Sequence, residues 1–126
     1  MWQKKSRRKL SGGKTKDKRK RRKHELGRES LHSEVSDSER KKTIEARGGT
    51  QKTRLISARE VNVTNPGTGE TSVEEINSVV ENNANPHFIR RNVITKGAVV
   101  ETNKGKVKIT SRPGQNGQAD GIRLED

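Results

Sequence analysis

Ala98-Val99-Val100-Glu101-Thr102-Asn103-Lys104-Gly105-Lys106-Val107-Lys108-Ile109-Thr110-Ser111 is the stretch on which the fold turns. Ala98 to Thr102 and Lys106 to Ser111 are rich in β-branched residues, and Asn103-Lys104-Gly105 joins them as a three-residue connection. Gly105 supplies the left-handed conformation such a connection needs, so the stretch predicts a β-hairpin. Within it Val107 and Ile109 face inward while Lys106, Lys108 and Thr110 face out, and burial of one face fixes the register.

The same punctuation repeats on both sides. Ile122 and Leu124 predict a last short strand after the Gly-rich loop Pro113 to Gly117. Upstream, Thr71 to Glu81 carries Val73, Ile76, Val79 and Val80, a spacing that fits either a strand or a helix. Strand is favoured because every apolar position is β-branched. Before it, Asn65-Pro66-Gly67-Thr68-Gly69 predicts a turn in which Pro66 presets the first corner and Gly67 takes positive φ at the next. Thr53 to Val63 reads as extended with a bulge or bend at Arg59-Glu60, where the apolar parity changes. Thr43 to Arg47 alternates polar with apolar and ends at Gly48-Gly49. The expectation is an all-β fold, a small barrel or sandwich of about six short strands over residues 42–126.

Residues 1–41 read differently. Thirteen of the 29 basic residues and one of the 16 acidic residues precede Glu25. The cations are Lys4, Lys5, Arg7, Arg8, Lys9, Lys14, Lys16, Lys18, Arg19, Lys20, Arg21, Arg22 and Lys23. Only Met1, Trp2 and Leu10 offer large apolar surface there, too little to offset an ordering cost of about 1 to 2 kcal/mol per residue. This predicts a long, disordered basic extension that orders on a polyanion. Glu25 to Arg40 is Ser-rich and charge-balanced, and reads as a linker or flexible loop with at most a short helix.

Composition bounds the function. At 126 residues the chain supports one domain with extensions, and 24% hydrophobic against 36% charged residues limits any core to a small one. With no cysteine there is neither a disulfide framework nor a thiolate metal site. No apolar run is long enough to span a bilayer and no secretory signal is evident, so a cytoplasmic location without membrane contact is expected. A pI near 10.5 calls for an anionic partner, and the arm has no apolar stripe for a membrane surface. Nucleic acid is the expected ligand.

Other motifs carry little. Gly13-Lys14-Thr15 matches the tail of a phosphate-binding loop, yet Arg8 stands where its first glycine belongs. His24, His32 and His87 are scattered, and no nucleophile, base and orienting acid gather around them, so no enzyme activity, cofactor, metal or small-molecule substrate is expected. Lys18 to Lys23 could serve as a nuclear-localisation signal and equally as a phosphate clamp. Arg47-Gly48-Gly49, followed by Lys52 and Arg54, lets backbone and charge approach phosphates together. A second basic set comprises Arg90, Arg91, Lys96, Lys104, Lys106, Lys108 and Arg112, opposed between its ends only by Glu101. Phe88 reads either as a base-stacking platform or as part of the core.

Several strings, in order, resemble the archaeal and eukaryotic small-subunit ribosomal protein S8e family over nearly the whole chain. They are Trp2 with Ser6-Arg7-Arg8-Lys9 and Gly12-Gly13, Glu25 to Glu29, Arg47-Gly48-Gly49, Val79 to Asn82, His87 to Asn92, Ile94 to Ala98, and Thr110 to Gln115. The resemblance implies a structural protein of the small ribosomal subunit, with a β-barrel domain and a basic extension laid into ribosomal RNA. The expected partners are that RNA and neighbouring small-subunit proteins, and the chain is expected to be a monomer when free. Its compact length resembles the archaeal members. On matching positions it implies RNA contacts at Arg7, Arg8, Gly12, Gly13, Arg47, Gly48, Gly49, Arg90, Arg91, Lys96 and Arg112. Thr50-Gln51 and Pro86 depart from the family pattern, which implies weaker contact there. A DNA-binding architectural or chromatin protein is the alternative, requiring a recognition helix or an apolar wedge that the sequence does not clearly offer.

Overall fold

The computed structural model describes residues 7–16, 19–20 and 22–124. It divides into two units, Met1–Ser30 and Leu31–Asp126.

In the first unit the chain closes on itself locally. The Arg7 carbonyl accepts from the Thr15 N–H at 2.8 Å and from its hydroxyl at 2.6 Å, and the Lys9 N–H donates to the Gly13 carbonyl at 2.8 Å. Gly12 turns the loop with φ 80, a left-handed conformation that costs a Cβ-bearing residue about 1 kcal/mol or more. A 3-10 turn follows at Lys23–Glu25. Neither feature was visible in composition, because polar and glycine residues with one exposed leucine, Leu10, form them.

The second unit is mostly strand. In chain order it holds β1 (Ser33–Val35), β2 (Arg40–Glu45), β3 (Gln51–Ala58), β4 (Glu60–Thr64), β5 (Thr71–Glu81), α1 (His87–Arg90), β6 (Val93–Ile94), β7 (Val99–Thr102), β8 (Gly105–Ile109), α2 (Pro113–Asn116) and β9 (Asp120–Arg123). One sheet has the order β2-β3-β1-β6, and β4-β5-β7-β8-β9 form a closed barrel. The barrel closes by parallel pairing of β4 with β9, Asn62 opposite Asp120 and Thr64 opposite Ile122. Closure leaves these five strands no free edge.

The predicted hairpin is β7–β8, with Val107 and Ile109 buried and Lys106 and Lys108 exposed. Its connection is one residue tighter than expected: Gly105, at φ 133, already pairs with Thr102. Thr71–Glu81 is one long strand. Its inward set runs Glu74, Ile76, then Val79, because register irregularities against β7 on either side of Ser78 and Val79 reverse the parity. The bend expected at Arg59-Glu60 separates β3 from β4 there, carrying the chain from the open sheet into the barrel. The interior is filled by short branched side chains, chiefly Val61, Val63, Ile76, Val79, Val100, Val107 and Ile109, joined by Leu55 from β3.

Several expectations are corrected. Residues 25–40 are not only linker: β1 lies within them, pairing in parallel with β3 and antiparallel with β6. Its one buried side chain is a serine, Ser33, whose hydroxyl donates to the Leu55 carbonyl at 2.6 Å. In the β4–β5 turn the positive φ belongs to Gly69 (73°), not Gly67. The Asn65 side chain instead accepts the Gly67 N–H at 3.0 Å and fixes that corner. Pro113 to Gly117 is a helical turn ended by Gly117 at φ 76. Ile122 of β9 and Leu124 just beyond it stay exposed, while Gly121 turns inward. A Cβ on Gly121 would meet Val107 Cγ1 at 2.5 Å and the Lys108 carbonyl at 2.9 Å, so only glycine lets β9 lie this close to β8.

Candidate nucleic-acid interface

Of the cations read from the sequence, Lys4, Lys5, Lys18 and Arg21 lie outside the described residues. Arg7, Arg8, Lys9, Lys14, Arg19, Lys20, Arg22 and Lys23 are exposed, as are Gly12 and Gly13. Two of these cations are already engaged. The Arg8 guanidinium donates to the Gly12 carbonyl at 2.9 Å. Arg19 forms a two-pronged ion pair with Glu25, with contacts of 2.6 and 3.1 Å. Hydrogen bonding to Arg19, aided by the Arg22 N–H, holds the Glu25 carboxyl below its ordinary value.

In the second unit β2 and β3 form a two-stranded ribbon. Antiparallel pairing sets Lys42 opposite Arg54 and Ile44 opposite Lys52. Directly paired residues share a face, so Lys42, Lys52 and Arg54 line one side of the ribbon with no acid among them. At the tip Arg47-Gly48-Gly49 is a 3-10 turn with φ 76 and 74 at the two glycines and open space where a Cβ would sit on either. The backbone is thus presented bare beside Arg47. Lys42 was missed by sequence reading, as were Arg40 and Lys41, because nearby glutamates hid them in a locally balanced charge count. Strand pairing separates what the count averaged.

The second basic set does not form one surface. Lys104 sits in the β7–β8 turn, at the closed end of the hairpin. Lys96 and Arg112 flank its open end, where the Gly97 N–H donates to the Ile109 carbonyl at 2.8 Å. Lys106 and Lys108 lie between, on the outer face of β8, with Glu101 directly opposite Lys106. Arg90 ends α1, and Arg91 reaches back across β1 to Glu34 at 3.3 Å. Phe88 is half-buried rather than core, its ring centroid 5.0 Å from that of His32 at a 55° tilt.

Among the described residues there is no cluster of His, Asp and Glu able to hold a metal ion, and no helix long and apolar enough to cross a membrane. The second unit exposes cations on a ribbon, two loop ends and a strand face, interspersed with exposed acids such as Glu34, Glu45, Glu75 and Glu101. Fold and composition together define a class: a small, strongly basic β-barrel protein with a cation-rich N-terminal segment. The chain belongs to the family described as Ribosomal protein S8e, which it matches over residues 2–124. It is 48% identical over 124 residues to the small ribosomal subunit protein eS8 of Methanococcoides burtonii, covering 98% of each chain. The protein of that name from Methanobrevibacter smithii is 49% identical over 120 residues, 95% of each chain. That of Methanosarcina barkeri is 45% identical over 124 residues, 98% of each. These relatives are archaeal and of matching length. A member of this family is a structural component of the ribosome and not an enzyme.

Proposed function

We propose that this chain is a structural constituent of the small ribosomal subunit that binds ribosomal RNA through its basic N-terminal extension and the cationic ribbon of its β domain. The observation that carries this reading is the concentration of thirteen cations and one acid before Glu25. Such a segment binds by neutralising phosphates and releasing counterions, and it orders as it does so. The β domain fixes where the extension enters the RNA, and the Arg47-Gly48-Gly49 tip approaches a backbone that bulkier residues would hold off. Phosphate contacts position without reading sequence, so selectivity comes from RNA shape. Neighbouring small-subunit proteins complete the surroundings of a chain that is monomeric when free.

The test is a salt titration of binding to small-subunit ribosomal RNA and to duplex DNA of equal length, with the full chain and with a chain lacking residues 1–23. If about eight phosphates are neutralised, log affinity falls against log salt with a slope near −6 on RNA, at about −0.7 per phosphate. Truncation removes most of that slope. Equal affinity and slope on DNA would instead favour a DNA-binding architectural protein.

A further inference from the structure

β1 and the α1–β6 connection together build a second kind of site. Ser33 turns inward to the Leu55 carbonyl, which leaves its neighbours His32 and Glu34 toward the surface. After α1, Asn92 takes φ 49 and its carbonyl accepts the Val35 N–H at 2.9 Å, so the chain reverses and brings Arg91 over Glu34 and Phe88 against His32. Beside them lies a cavity of about 510 Å³ lined in part by His32, Glu34, Ser36, Ser38, Arg40 and Arg91. That volume falls in the range of small-ligand sites. Its lining combines an aromatic ring, a carboxylate and two guanidinium groups, whereas the Lys42, Lys52 and Arg54 face of the ribbon carries no acid.

We propose that this cavity holds one unpaired guanine nucleotide of the bound RNA. The inference rests on the RNA-binding reading and adds to it a base-selective contact. His32, braced by Phe88, supplies the face on which an unstacked base lies. Ionised Glu34 only accepts hydrogen bonds. Guanine alone among the four bases presents two adjacent donors, N1–H and the N2 amino group, to such a carboxylate. Arg91 uses one N–H on Glu34 Oε1 and keeps others for guanine O6 or N7. Arg40, without a carboxylate partner among the described residues, takes the phosphate.

The experiment titrates the full chain with the 5′-monophosphates of guanosine, adenosine, cytidine and uridine while following the ring resonances of His32 and Phe88 by NMR. Guanosine monophosphate should shift both rings and bind about tenfold more tightly than the other three, as one good bidentate base contact allows. Glu34→Gln should abolish that preference, and His32→Ala should weaken all four nucleotides alike. Indistinguishable affinities, unmoved rings, or a Glu34→Gln chain that keeps its guanine preference would overturn the proposal. If the rings fail to respond while ribosomal RNA still binds with an extension-dependent salt slope, only the pocket is wrong. If that slope is also absent, the RNA-binding reading itself falls.

Discussion

Glu74 of β5 and Arg123 of β9 are ion-paired across the barrel, with the Glu74 side chain 1% exposed and that of Arg123 27%. The carboxylate also accepts from the Thr102 hydroxyl at 2.7 Å and the Ser72 hydroxyl at 3.0 Å. Removing the charge strands Arg123, whose Nε already lacks a hydrogen-bond partner among the described residues. Glu74→Gln should therefore destabilise the β domain by about 2 to 4 kcal/mol, somewhat below the roughly 3 to 5 kcal/mol of a fully buried pair because Arg123 is partly exposed. Urea unfolding of both chains at neutral pH measures the difference.

The same pair gives the domain a pH dependence. Burial pushes the Glu74 carboxyl up, but the Thr102 and Ser72 hydroxyls, with the charges of Arg123 and Lys104, outweigh it and hold the group below its ordinary value. A carboxyl depressed by folding contributes stability that is fully present above its unfolded pKa, near 4.3 for glutamate, and lost as pH falls through the lower folded value. Unfolding midpoints should fall on acidification into that window. The fall should be smaller in Glu74→Gln; identical acid profiles would show that other carboxyls dominate.

Gly121→Ala tests how tightly the barrel is closed. With Val107 Cγ1 at 2.5 Å and the Lys108 carbonyl at 2.9 Å from the added carbon, β8 and β9 must separate or Val107 must change rotamer. A loss of about 1 to 3 kcal/mol follows from overpacking of this kind. Gly48→Ala at the ribbon tip is the control. It meets no atom within 4 Å and bears only the strain of φ 76, about 1 to 2 kcal/mol and confined to an exposed turn. Thermal melts should show the larger loss in Gly121→Ala; a loss no greater than that of Gly48→Ala would mean that β8 and β9 part without cost.

What the sequence made legible was apolar alternation with glycine or proline at its ends. Val107 and Ile109 show it, as do Val61 and Val63, and the all-β class with a barrel follows from such runs. Where burial is carried by other residues the pattern is silent. β1 was invisible because its inward residue is a serine satisfied by a carbonyl. β9 was located by Ile122 and Leu124, which face out, while Gly121 faces in. Glu74 keeps the alternation of its strand but puts a charge on the inward face, which no apolar pattern signals. Ser72 of its own strand, Thr102 of β7 and Arg123 of β9 make the buried carboxylate tolerable. For the candidate interface, charge counting singles out the extension and the ribbon tip, and it joined Lys104 with Lys96 and Arg112, which lie at opposite ends of one hairpin. It also passed over Lys42, which only antiparallel register sets beside Arg54.

If the proposed RNA contact holds, Lys42, Lys52 and Arg54 should give the ribbon its own measurable share of it. None of the three forms an ion pair among the described residues; Lys42 and Lys52 are exposed and Arg54 is half-buried. Replacing all three by Ala should therefore lower the unfolding midpoint only slightly, the loss coming from the packed stem of Arg54. If each contacts one phosphate, the slope of log affinity against log salt should become shallower by about 2 in the triple variant. An unchanged slope with unchanged stability would mean that this face of the ribbon points away from RNA. The extension and the Arg47-Gly48-Gly49 tip would then carry the contact alone.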